Sequence, residues 1–204
     1  MIFCFYGLQK RLLLLCIPHN KPFPQVYDRY YLLMLNKDLD KASIIVNSTN
    51  NIPFEKKSEY QIGILLLNNH WIEASDFVSS NPNINTLKWT GLKSLTKEYQ
   101  NIKYKSPFIA AGLSTILPGA GKVYTKNWKD GLFSLLFVAS SAWQSYRGFN
   151  KNGVKSAYGW IFGAITIGLY GGNIFGSWKA AKVHNSNLNH EIYHQAEDII
   201  FSDF

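Results

Sequence analysis

One run of residues has a spacing that catalysis could use: His190-Glu191-Ile192-Tyr193-His194. On a helix, histidines four residues apart share a face and could hold a zinc ion while Glu191 activates the bound water, as in H-E-x-x-H metalloproteases. Such a centre also needs a third ligand and a cleft that shapes and dries it. Glu197, one turn on, is the acid within reach, and ten residues follow His194. In site-two-type membrane proteases the motif lies inside a transmembrane helix. Here NLNHEIYHQAEDIIFSDF is polar and reads as an amphipathic helix with Leu188, Ile192, Ala196, Ile199 and Ile200 along one side. The expected reading is a solvated histidine face, with no catalytic residue, no metal and no cofactor. A membrane-associated zinc hydrolase using His190, Glu191 and His194 is the alternative. Gly119-Ala120-Gly121-Lys122 is not a phosphate loop, because Val123 stands where Ser or Thr is needed.

The elements around the motif are dominated by three apolar segments between Ser106 and Trp178, separated by lysine-rich turns. The third, Ser156 to Trp178, has no Asp, Glu, Lys or Arg for 23 positions, roughly 35 Å of helix and enough to cross a bilayer core. The net charge of +8 is spread along all 204 residues, which argues against the clustered basic patch of a nucleic-acid binder. Only Cys4 and Cys16 are present, too few for a disulfide framework. The first 17 residues look like an export signal but fit poorly. The apolar run after Lys10-Arg11 is short, and no small-x-small cleavage site precedes Pro18. Residues 1–26 are read as an apolar amino-terminal segment and linker.

From 27 to 105 the pattern is helical and repeats at an offset of 32. Tyr30 to Val46 aligns with Ile62 to Val78, placing Leu39 on Trp71, Ala42 on Ala74 and Val46 on Val78. Each unit reads as a helical hairpin, with turns at Asn36-Lys37-Asp38 and Asn68-Asn69-His70 and the alanine at the helix crossing. A third, incomplete unit starts at Asn85. The period and the Ile62-Gly63 pair resemble tetratricopeptide repeats, which implies a surface that contacts another protein.

Residues 106–182 are expected to be membrane-embedded. Pro118, Gly119 and Gly121 should break the first segment, leaving Pro107 to Leu117 as a short or re-entrant helix. The second segment, Gly131 to Tyr146, and the third should form a hairpin joined by residues 148–154. Asp130 is read as the helix N-cap of the second. Gly159, Gly163, Gly168, Gly172 and Gly176 would let the helices approach, with Gly163, Gly168 and Gly172 closest, and could mediate oligomers. Trp128, Trp143, Tyr146, Trp160 and Trp178 suit an interfacial belt. With a re-entrant first segment, Lys103, Lys105, Lys122, Lys126, Lys129, Lys179 and Lys182 share one side, against Arg147, Lys151 and Lys155 on the other. That asymmetry places the amino-terminal helices in the cytoplasm. Residues 183–204 form a separate polar tail helix.

Ser106 to Leu132, SPFIAAGLSTILPGAGKVYTKNWKDGL, resembles a segment of the form SP-x-x-A-x-x-L-S-x-x-L-P-G-x-G-x-x-Y followed by D-G-L. It is found in uncharacterised bacterial envelope proteins with tetratricopeptide-like helices before it and a glycine-rich transmembrane hairpin after it. The resemblance covers roughly Tyr27 to Lys182 and implies architecture and location rather than chemistry. The expectation is therefore an all-α, multi-pass protein of the bacterial inner membrane. Its partners are the lipid bilayer and another protein at the amino-terminal helices, with no nucleic acid, and it acts as a scaffold rather than an enzyme.

Overall fold

The computed structural model describes residues 24–50 and 52–202. The amino-terminal apolar segment and its export-signal reading lie outside the described residues. Among those described, every regular element is helical. The chain divides into two compact units, residues 1–101 with 192–204, and residues 102–191.

The first unit holds α1 (Pro24–Leu35), α2 (Leu39–Ser48), α3 (Phe54–Leu67), α4 (Trp71–Ser80) and α5 (Leu87–Gln100). The 32-residue repeat is visible in the backbone. Lys37 and Asn69 both take left-handed φ, 59° and 61°. The Asp38 amide donates to the Leu33 carbonyl and the His70 amide to the Leu65 carbonyl, each at 2.9 Å. With Lys37 N to Met34 O and Asn69 N to Leu66 O, both at 3.0 Å, each hairpin turn is a Schellman closure that satisfies the orphan carbonyls of the preceding helix. Leu39, Ala42 and Val46 are buried on α2, as Trp71, Ala74 and Val78 are on α4. At Gly63 a Cβ would lie 3.1 Å from the Tyr30 hydroxyl and 3.5 Å from Met34 Cε, so the bare backbone lets α1 and α3 pack closely. Tyr30 then donates to the Tyr60 carbonyl at 3.1 Å.

α5 is tied to α3 through a buried carboxylate. Glu59 accepts from Lys56 Nζ at 2.9 Å and from the Thr86 hydroxyl. Thr86 is also the N-cap of α5, accepting from the Trp89 amide at 3.1 Å. One hydroxyl thus satisfies a helix terminus and a buried acid together.

The second unit begins with α6 (Pro107–Ile116), capped by Ser106, and α7 (Ala120–Tyr124). It continues with α8 (Trp128–Asn152), a 3₁₀ turn (Gly153–Lys155) and α9 (Ala157–Ile200). The third apolar segment and the polar tail are therefore one 44-residue helix, not two elements. Charged residues end an apolar run without ending a helix, and no proline interrupts this one. α9 belongs to the second unit up to Glu191 and to the first from Ile192, where Ile192, Ala196 and Ile200 are buried and Tyr31 donates to the Ile200 carbonyl at 3.1 Å. α8 starts at Trp128, so Asp130 lies in its first turn and Asn127, not Asp130, is the N-cap residue. An acid there still opposes the positive helix terminus favourably.

The two units bury opposite kinds of side chain. All but four of the large apolar side chains exposed among the described residues lie in the second unit, including Phe108, Ile116, Phe137 and Ile167; the four are Ile44, Phe54, Ile72 and Leu87. Apart from Val138, what the second unit buries is small or polar: Ala110, Ser114, Thr125, Ser141, Ser145, Ser156, Asn173, Ser177 and Ala181. Among the described residues no helix is long and apolar enough to cross a membrane, contrary to the reading of the 156–178 run. The helix has the length; its inner face of Gly159, Thr166, Asn173 and Ser177 dilutes its apolar character.

Thr86→Ala removes the α5 cap and one hydrogen bond of a buried carboxylate, and should lower stability by about 2–3 kcal/mol. Urea unfolding followed by Trp fluorescence measures it. Thr86→Ser, which keeps both bonds, should recover most of the loss.

Candidate functional site

The residues of the histidine motif sit in succession on α9. His190, Glu191 and His194 are all exposed. His194 Nδ1 lies 3.0 Å from Glu197 Oε2 one turn on, a common surface pairing that holds the ring along the helix. Burial pushes the Tyr193 hydroxyl up, and Glu197 adds to the shift, so this phenol stays protonated near neutral pH. Among the described residues no group of three or more His, Cys, Asp or Glu side chains is gathered so as to hold a metal ion. The arrangement offers a carboxylate–imidazole pair on a helix surface, and Glu197 with Tyr193 also lines a groove of about 390 Å³ beside Met34, Lys37 and Phe201.

The Pro118 region is built more closely. α6 ends at Ile116, and Gly119 takes φ +90° as the chain reverses into α7. A Cβ at Gly119 would overlap the Gly131 carbonyl oxygen, and one at Gly121 the Ala110 carbonyl oxygen. Ser114 Oγ accepts from the Gly121 amide at 3.0 Å and shares a hydrogen with Ser177 Oγ at 2.7 Å. The Ser106 amide donates to the Tyr124 hydroxyl at 3.3 Å, so the end of α7 returns to the start of α6.

α6 and α8 both run antiparallel to α9. Asn185 accepts from the Lys105 amide at 2.8 Å and donates to the Lys105 carbonyl at 2.9 Å, while Tyr170 donates to the Thr115 carbonyl further along. On α8, Ser145 donates to the Gly159 carbonyl at 2.9 Å, and a Cβ at Gly148 would sit 2.7 Å from Gly159 Cα.

Gly159, Gly163, Gly168, Gly172 and Gly176 of α9 do not form one packing face. Gly159 and Gly163 meet α8, a Cβ at Gly163 lying 3.2 Å from Ser145 Oγ. A Cβ at Gly168 or Gly172 would meet nothing within 4 Å, contrary to their expected place at the closest approach. The cause is the five-residue step from Gly163 to Gly168, which turns roughly 140° around the axis and sends the later glycines to another side. They border a groove of about 250 Å³, lined also by Lys122, Ser134, Val138 and Asn173. Lys122 Nζ donates to Ser134 Oγ at 2.7 Å, and the Lys122 stem passes Gly176, where a Cβ would be in ordinary contact 3.5 Å from Lys122 Cε. From the sequence Lys122 counts only as a flanking charge, and Asn173 is not singled out. The available signal was that Asn173 is the one side-chain amide within the 23 uncharged residues.

No family model, curated protein or solved structure matches the chain.

Gly148→Leu forces α8 from α9 where backbones touch, and should cost at least about 3 kcal/mol or abolish folded yield. Gly168→Leu, entering open space, should leave the melting temperature within a few degrees of wild type. Differential scanning fluorimetry in neutral detergent separates the two.

Proposed function

We propose that the protein is a non-enzymatic scaffold of the bacterial inner membrane. In this reading residues 102–191 are lodged in the bilayer, and the amino-terminal helices contact another protein. One observation carries the proposal: the second unit turns its large apolar side chains outward and keeps serine, asparagine and glycine inside. In water such a surface would be an aggregation liability, whereas in lipid it is the expected arrangement, since apolar tails cover it and polar groups pair within the bundle. The reading relies on α8 and α9 inserting as a packed pair, neither helix being apolar enough alone. Trp128 and Trp178 on one side and Trp143, Tyr146 and Trp160 on the other would serve as the aromatic belts.

α6 is ten residues long, roughly 15 Å and half a bilayer core. That length, and the Ser106–Tyr124 bond that closes the loop, support a re-entrant segment. Seven Lys flank one side of the bundle on this topology and three basic residues the other, which favours cytoplasmic amino-terminal helices. The paired Schellman turns 32 residues apart support a tetratricopeptide-like module there.

Membrane fractions washed with alkaline carbonate should retain the chain in the pellet; release into the supernatant would mean that the outward apolar face is covered by protein. In a chain with Cys4 and Cys16 replaced by Ser, Lys103→Cys and Lys126→Cys should be labelled by an impermeant maleimide from the same side. Lys151→Cys should be labelled from the other. Opposite-side labelling of the first two would exclude the re-entrant loop.

A further inference from the structure

The groove bordered by Gly168 and Gly172 holds a polar side chain that nothing among the described residues satisfies. Asn173 is 5% exposed, and neither its amide nitrogen nor its oxygen has a partner there. A buried, unpaired amide is costly and calls for an explanation. Beside it, Lys122 donates one hydrogen bond to Ser134 Oγ, and the Ser134 proton goes to the Asp130 carbonyl at 2.8 Å. Two of the three ammonium protons are thus unassigned, and among the described residues no carboxylate forms an ion pair with Lys122.

Lys122 and Asn173 both line the groove, so a cation stands at the same place as an amide whose donor and acceptor are buried and unpaired. The groove's occupant must supply anionic oxygens for Lys122 and Asn173 Nδ2 and a hydroxyl for Asn173 Oδ1. A volume of about 250 Å³ lies below that of sites for drug-sized ligands, so the ligand is the size of a headgroup. A carboxylate alone would leave the Asn173 oxygen unmet. We propose that the groove binds a glycerophosphate group, a phosphate ester with a free hydroxyl, held by Lys122 and Asn173. Gly168 and Gly172 are bare because a side chain there would occupy the ligand's space. Gly176, against which Lys122 lies, is two residues and about 3 Å of rise from Trp178.

The same chemistry is carried by soluble glycerol 3-phosphate and by the headgroup of phosphatidylglycerol, so the inference does not rest on the membrane reading. Calorimetric titration of the full chain in uncharged detergent separates the sources. Dihexanoyl-phosphatidylglycerol should bind saturably, and dihexanoyl-phosphatidylcholine, which lacks the hydroxyl and the net charge, should not. Glycerol 3-phosphate binding equally well would assign the site to a soluble ester; weaker binding would assign it to lipid. Lys122→Met and Asn173→Leu should each weaken binding by about tenfold or more. Gly172→Leu should abolish it with the melting temperature unchanged, which separates loss of ligand from loss of fold. No saturable binding of either ester to wild type overturns the proposal, as does equal binding by all three variants. Cross-linking of Gly168→Cys to a second copy in membranes would also overturn it, by showing the groove covered by protein. Carbonate release of the chain would remove the membrane reading and leave the glycerol 3-phosphate arm standing.

Discussion

The Ser114 hydroxyl holds the second unit together. It is fully buried, accepts from the Gly121 amide and shares a hydrogen with Ser177, so one oxygen joins α6, α7 and α9. In a dry interior such a bond is strong, and leaving any of its members unpaired is expensive. The bond forms only because glycine at 121 lets α7 lie against the Ala110 carbonyl, and glycine at 119 lets the chain reverse beneath Gly131. α6 ends at Ile116, two residues before Pro118, and the reversal that follows brings the Gly121 amide back to Ser114. With backbone this close, only small side chains fit inside, and Phe108, Ile109 and Ile116 are left on the outside.

The first unit follows the opposite logic. Its interior is filled by Tyr30, Met34, Ile62, Leu66, Trp89 and Leu92, all but fully removed from water, and area burial of this kind stabilises by about 25 cal/mol per Å² in water. The second unit buries little comparable apolar area: Ala110, Val138 and Ala181 are its buried apolar residues among those described. Its cohesion comes instead from hydrogen bonds to backbone, as at Asn185 and Ser145, and from van der Waals contact between bare backbones. Those terms do not depend on expelling water, which is why they suit a surrounding as apolar as the protein's own surface.

The hairpins of the first unit were legible because two local signals agree. The apolar period breaks at the same place in both repeats, and Asn or Lys stands where the Schellman turn needs a left-handed residue. The helix break at Pro118 was legible for a similar reason, since proline and glycine act on the backbone directly. The join between the third apolar segment and the tail was not. Trp178 to Ser186 changes from apolar to charged, and a change of solvent preference reads as a boundary although the backbone has no cause to stop. Asp130 failed as a cap because the helix begins earlier, at Trp128 and Lys129, which are as helix-compatible as the residues after Asp130. Lys122 and Asn173 were invisible because their significance lies in what they lack, and a missing partner can be seen only once the neighbours are placed.

The glycines of α9 show how a stripe of small residues misleads when its period is not checked. The least exposed positions along the helix are Gly159, Gly163, Thr166, Tyr170, Asn173, Ser177 and Ala181, followed after Leu188 by Ile192, Ala196 and Ile200. From Gly159 to Ala181 the spacings of three and four keep them on one face of a 3.6-residue helix, whereas Ile192, Ala196 and Ile200, in the first unit, repeat every four residues. Gly168, Gly172 and Gly176 repeat every four residues among themselves, but they start five after Gly163 and so fall on a different side. Each of the two least exposed sets packs within its own unit. The buried positions are mostly small or polar where α9 meets α6 and α8 and apolar in the first unit, so a single helix serves two interiors with opposite demands. The second glycine row, released from packing, is free to leave space, and Lys122 is the side chain that reaches across it.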